Sequence, residues 1–67
     1  MTADTLTTAQ TKALRHMEMN GGKLYSGKDV IQGMSIQTSA HTLRALARMG
    51  KVRIEELIEG GVIAFRV

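Results

Sequence analysis

Apolar residues fall along this chain in two rhythms, and the rhythm changes at Gly50. Before it, Ile36, Ala40, Leu43 and Ala47 recur at spacings of four, three and four, with Leu46 widening the stripe. That spacing predicts a helix over 35–49 that is buried on one side. Gln37, His41, Arg44 and Arg48 recur at the same spacings on the opposite side, with Thr38 and Ala45 beside them. Ser35 suits the N-cap, where its hydroxyl can accept from a first-turn N–H. Arg48 suits the negative end of the helix dipole, and Gly50 the left-handed residue that closes a helix.

Upstream, a first helix is expected from Thr7 to about Asn20. Thr7 followed three residues later by Gln10 has the form of a capping box. Ala9, Ala13, Leu14 and Met17 would face inward, and Lys12, Arg15 and His16 outward. Asn20-Gly21-Gly22 stops this helix, and Lys23-Leu24-Tyr25 suits a brief extended segment. A second helix is then expected from Ser26 to Gly33, with Asp29 near its positive end and Val30, Ile31 and Met34 on its apolar side. Only Met34-Ser35 would separate it from the long helix, so the two should cross steeply.

Beyond Gly50, Val52 and Ile54 alternate with Lys51, Arg53 and Glu55, and Val62–Val67 reads as a returning strand. Glu59-Gly60-Gly61 signals the turn between them, with a positive φ expected at one glycine or both. A two-residue turn there would set Ile54 opposite Val67 and Glu55 opposite Arg66, and would put Ile54, Ile58, Ile63, Phe65 and Val67 on one face. Glu56 would share that apolar face, a misfit that points to a longer loop or a bulge and leaves the register open. The expected core is Leu14, Met17, Val30, Ile31, Ile36, Leu43, Leu46, Ile54 and Phe65.

The order helix, short strand, helix, turn, helix, hairpin resembles a winged helix-turn-helix domain, an α+β fold of three helices and a C-terminal β-hairpin wing. The resemblance covers residues 7–67, with 1–6 as a flexible N-terminus. SIQTSAHTLRALARMGKVRIEE carries most of it, looking like the recognition helix, closing glycine and first wing strand of bacterial and phage repressors. It implies a transcriptional regulator that binds double-stranded DNA, with 35–49 in the major groove. Gln37, Thr38, His41 and Arg44 would then reach bases, since Arg can bond guanine O6 and N7 together and Gln the corresponding adenine edge. Lys28, Arg48, Lys51 and Arg53 would contact phosphates, and a homodimer or a cooperative array on repeated half-sites is expected.

Composition narrows the alternatives. The chain has 67 residues, no cysteine, tryptophan or proline, two histidines and a formal net charge of +3. One small domain without disulfides or thiolate ligands must be held by its aliphatic core. His16 and His41 are too few and too far apart for a metal site, and no cofactor motif or catalytic arrangement stands out, so no enzyme is expected. No apolar run approaches the roughly 20 residues of a membrane span, and no secretory leader is evident, so a cytoplasmic location is expected. A chain running from Met1 to a final strand is expected to be complete. The carboxylates Glu55, Glu56 and Glu59 sit where a phosphate-gripping wing would be basic. They support a rival reading, a protein-interaction module of inhibitor or adaptor type that works through its acidic wing.

Overall fold

Thr7 and Gln10 cap the first helix reciprocally: Thr7 Oγ1 accepts from Gln10 N–H at 3.1 Å, and Gln10 Oε1 from Thr7 N–H at 3.0 Å. The helix they open is α1 (Thr8–Met19), the first element of a computed structural model that describes residues 5–67. The chain continues as β1 (Lys23–Tyr25), β2 (Gly27–Ile31), β3 (Met34–Thr38), α2 (Ala40–Arg48), β4 (Val52–Glu56) and β5 (Val62–Arg66). All pairing is antiparallel: β1, β5 and β4 form one sheet with β5 central, and β2 with β3 forms a separate two-stranded ribbon.

The central strand explains the apolar run Val62-Ile63-Ala64, since all three residues are buried. The register sets Leu24, Ala64 and Ile54 side by side, with Val62 and Val52 on the same face. Against that face pack Ala13 and Met17 of α1, Leu43 and Leu46 of α2, and Ile31 and Ile36 of the ribbon. On the other face Tyr25, Ile63 and Glu55 align, as do Lys23, Phe65 and Arg53. There the Arg53 guanidinium lies over the Phe65 ring, 4.9 Å from its centroid. Both helices end in the same closing geometry, with Gly22 N–H donating to Met17 O and Lys51 N–H to Leu46 O.

The three-helix winged arrangement is not what this chain forms. Residues 26–33 are no helix: the backbone turns at Gln32 (φ 52) and Gly33 (φ 82), and Ile31 faces Met34 across a two-residue hairpin. Two successive positive φ values match the twist of a tight hairpin and cannot be accommodated in a helix. β-Branched Val30, Ile31, Ile36 and Thr38 suit the pleated ribbon that results. Alternation then turns Ile31, Ile36 and Thr38 inward, while Val30, expected in the core, is 69% exposed. The long helix is correspondingly shorter than 35–49. It starts at Ala40, because Ser39 rather than Ser35 is the N-cap, its Oγ accepting from Thr42 N–H at 3.1 Å.

The terminal hairpin forms as expected, with a longer connection in place of a two-residue turn. Its connection runs from Leu57 to Gly61, with Gly60 at φ 93 and Gly61 at φ 86, so Ile54 meets Ala64 and Glu56 meets Val62. Ile54 therefore lies on the face opposite Ile63 and Phe65, and Arg66 faces Val52 rather than Glu55. Glu56 does stand on the helix-facing side, at its rim, where Arg44 of α2 meets it. Leu14, Ile54 and Phe65 are half-buried; Met17, Ile31, Ile36, Leu43 and Leu46 are buried as expected. The N-terminal stretch 1–6 lies mostly outside the described residues, although Leu6 packs against the core.

Candidate nucleic-acid interface

Helix α2 exposes a narrow basic stripe. Leu43 and Leu46 are fully buried, so His41, Arg44 and Arg48 emerge on the far side. At about 100° per residue these three fall within an arc of about 60°, on a helix about 13 Å long. A small residue, Ala45, borders the stripe. Arg44 is already engaged: its Nη1 donates to Glu56 Oε2 at 2.7 Å and its Nη2 to Oε1 at 3.2 Å. This two-pronged contact ties the helix to the end of β4, and both side chains stay about half exposed or more.

The other acidic groups are placed similarly. Arg53 Nη1 donates to Glu55 Oε2 at 2.9 Å, along one strand, and Arg66 pairs with Glu18 of α1. Glu55, which a two-residue turn would have set opposite Arg66, is thus paired with Arg53 instead. The remaining cations, Lys12, Arg15, Lys23, Lys28, Arg48 and Lys51, have no carboxylate partner among the described residues. Of the described carboxylates only Asp29 and Glu59 stand outside ion pairs, and Asp29 Oδ1 accepts from the adjacent Val30 N–H. Among the described residues six cations and two side-chain carboxylates thus stand outside ion pairs, the net charge being unchanged by the pairing.

The sequence-predicted contact residues divide among three elements. His41, Arg44 and Arg48 share the α2 face, and Lys51 follows the turn after it. Gln37 and Lys28 are both off the helices: they face each other across the ribbon and are exposed, with Val30 and Ser35 the next pair on the same face. Thr38 departs furthest from expectation. It ends β3 at 7% exposure, beneath the surface, and so is removed from any outward row. Arg53 lies on the outer face of the sheet, held by Glu55 and Phe65.

Sequence reasoning missed the hollow beside these residues. A groove of about 370 Å³ separates α1 from the β3–α2 junction and is lined by Lys12 and His16 on one wall and by Gln37, Thr38, Ser39 and Thr42 on the other. No described carboxylate lines it. The signal was available in part, since Lys12 and His16 are one turn apart on the exposed flank of α1. A second hollow, of about 480 Å³, gathers Arg15, Lys51 and Arg66 but also Glu18, which Arg66 pairs with. Among the described residues no three His, Asp or Glu side chains come together to hold a metal ion, and no helix is long and apolar enough to cross a membrane. Comparison with known protein families, with curated proteins and with solved structures finds no match for this chain.

Proposed function

We propose that this domain binds double-stranded DNA, with α2 presented to the major groove and the ribbon beside it. The observation that carries the reading is the exposed stripe His41, Arg44 and Arg48 on a helix whose opposite side is wholly buried. A major groove about 12 Å wide admits one helix, and also admits a two-stranded ribbon. The helix offers Arg44 and His41 to base edges. The ribbon offers Gln37, which can pair with adenine, and Lys28, which can neutralise a phosphate. Arg48 and Lys51, without carboxylate partners among the described residues, supply further phosphate contacts.

The rival reading, a protein-binding module, has one specific support: Ile58 is fully exposed at the tip of the β4–β5 loop, beside Glu59. Its acidic character is weaker than the sequence implies, because Glu55 and Glu56 are each paired with an arginine. Fluorescence anisotropy with a labelled mixed-sequence duplex at two salt concentrations tests the DNA reading. Log affinity should fall linearly with log salt, with a slope of about −0.9 for each phosphate contacted. Absence of binding at low salt, together with capture of a protein that Ile58→Asp abolishes, would transfer the function to the loop.

A further inference from the structure

Beyond β4 the sheet β1-β5-β4 has no further strand among the described residues. Which backbone groups aim outward there follows from the hydrogen bonds of the central strand. Val62 exchanges bonds with Ser26, and Arg66 N–H donates to Gly22 O, so both residues turn their backbone toward β1. Successive residues of a strand turn to opposite sides, so Ile63 and Phe65 turn toward β4. Glu55 and Arg53, which stand opposite them, complete that ladder, and Leu57 N–H extends it to Gly61 O. Ile54 and Glu56 therefore direct N–H and C=O away from β5. Val52 has the same phase but is buried, so the accessible edge is Arg53–Glu56. Such an edge is a template for another strand unless proline, a bulge or charge guards it. β4 contains no proline, and its pairing with β5 is unbroken. Its guard is charge, carried by Arg53 and Glu55 on the outer face.

That charge is self-complementary in one register. A second β4, antiparallel to the first, can be centred on Arg53, on Ile54 or on Glu55. Centring on Arg53 or on Glu55 sets that residue against its own copy, and directly opposed like charges repel. Centring on Ile54 sets Arg53 of each copy opposite Glu55 of the other. The two Ile54 residues then exchange both backbone bonds, and the Arg53–Glu55 positions become the closer, non-hydrogen-bonded pairs. Each guanidinium keeps Glu55 of its own strand at 2.9 Å and gains a second carboxylate across the dyad. On the helix-facing side Glu56 comes beside Val52 of the other copy, with its carboxylate already held by Arg44. We propose that the outer edge of β4 is a self-association surface, on which a second copy of this chain pairs antiparallel about Ile54. The two sheets then join in the order β1-β5-β4-β4-β5-β1, with the helices of both copies on one face. So short an edge makes a small interface, and the dimer forms only as protein concentration rises. Such pairing needs no DNA and stands apart from the DNA reading.

The test is sedimentation velocity of the full chain over a dilution series, with amide-resolved NMR beside it. The unaltered chain should pass from monomer to dimer as concentration rises. Over the same series the Ile54 amide should shift, while those of Arg53 and Glu55, already bonded to β5, should shift less. Arg53→Glu leaves only carboxylates on this face of the edge, and Glu55→Arg only guanidiniums, so each variant alone should lose the dimer. Mixed in equal amounts, the two variants should form a heterodimer, because each supplies the charge the other lacks. Arg53→Glu and Glu55→Arg combined in one chain should likewise restore self-association. That chain retains both charges, so it also separates a lost interface from a lost fold. A chain that stays monomeric up to its solubility limit would overturn the proposal. So would a dimer that neither single substitution weakens, or failure of both the mixture and the combined variant to associate.

Discussion

Substituting Gly61 provides a demanding check on the sheet, because two separable costs meet there. A Cβ on Gly61 would lie 2.8 Å from Ser26 Oγ, closer than such atoms approach, while a Cβ on Gly60 would meet nothing within 4 Å. Both glycines have φ near +90°, so alanine at either position bears the backbone strain, about 1–2 kcal/mol. At Gly61 the hydroxyl must also move. Ser26 Oγ accepts from Val62 N–H at 3.0 Å, and Ser26 N–H donates to Val62 O at 2.9 Å, so this serine fastens the end of β1 to the central strand. Losing the hydroxyl contact adds about 0.5–1.5 kcal/mol. Gly61→Ala should therefore melt below Gly60→Ala, and each kcal/mol is worth about 4–8 °C in a domain of this size. In a Ser26→Ala background the clash is gone, and Gly61→Ala should then cost no more than Gly60→Ala. Thermal unfolding by circular dichroism of the four variants forms a double-mutant cycle. Equal costs for Gly61→Ala with and without the serine hydroxyl would refute the proposed contact.

Leu43→Ala removes a fully buried side chain at the junction of both helices and the sheet, and should cost about 2–5 kcal/mol, read as a loss of cooperative unfolding or a much lower urea midpoint. Glu56→Gln releases Arg44 from an exposed ion pair worth about 0.2–1 kcal/mol, so stability should change little while duplex affinity rises up to about fivefold; weaker duplex binding would show that Arg44 is not used. Arg44→Ala should cost about 1–3 kcal/mol in specific binding and relax the preference at one base pair, measured by competition among duplexes. Gln32→Asn places a residue better suited to φ 52 ahead of Gly33 and should raise the melting temperature modestly; a fall would contradict the hairpin turn.

Where the sequence could be read, local chemistry and tertiary demand agreed. The Thr7–Gln10 box marked α1, residue type marked Lys23–Tyr25, and alternation after Gly50 with the Gly60-Gly61 turn marked the two terminal strands. Residues 26–39 misled because they satisfy two periods together. Ile36, Ala40 and Leu43 fit a helix, but Ile36 and Thr38 also fit a strand, and Ser35 and Ser39 are equally good caps. Tertiary packing decided for Ser39, because only a strand lets both Ile36 and Thr38 turn inward beside Ile31. The Gln32-Gly33 turn was hard to see, since Asn or Asp before Gly is the stronger signal. Of the candidate interface, His41, Arg44 and Arg48 were legible from helical spacing, which survives the shorter boundary. The Arg44–Glu56 pair and the groove were not, because each joins elements whose relative placement no local pattern records.

The position of β5 in the middle of its sheet also governs when this domain can come into being. Helix α1 and the ribbon use contacts close in sequence and can form while the chain is still growing. The three-stranded sheet cannot, since β1 and β4 do not pair and each needs β5, which follows both in the chain. Until residues 62–66 leave the ribosome, Leu24 and Val52 have no strand between them, and the helices lack the surface that buries Leu43 and Leu46. Loss of residues 62–66 would remove the centre of the sheet rather than trim its edge.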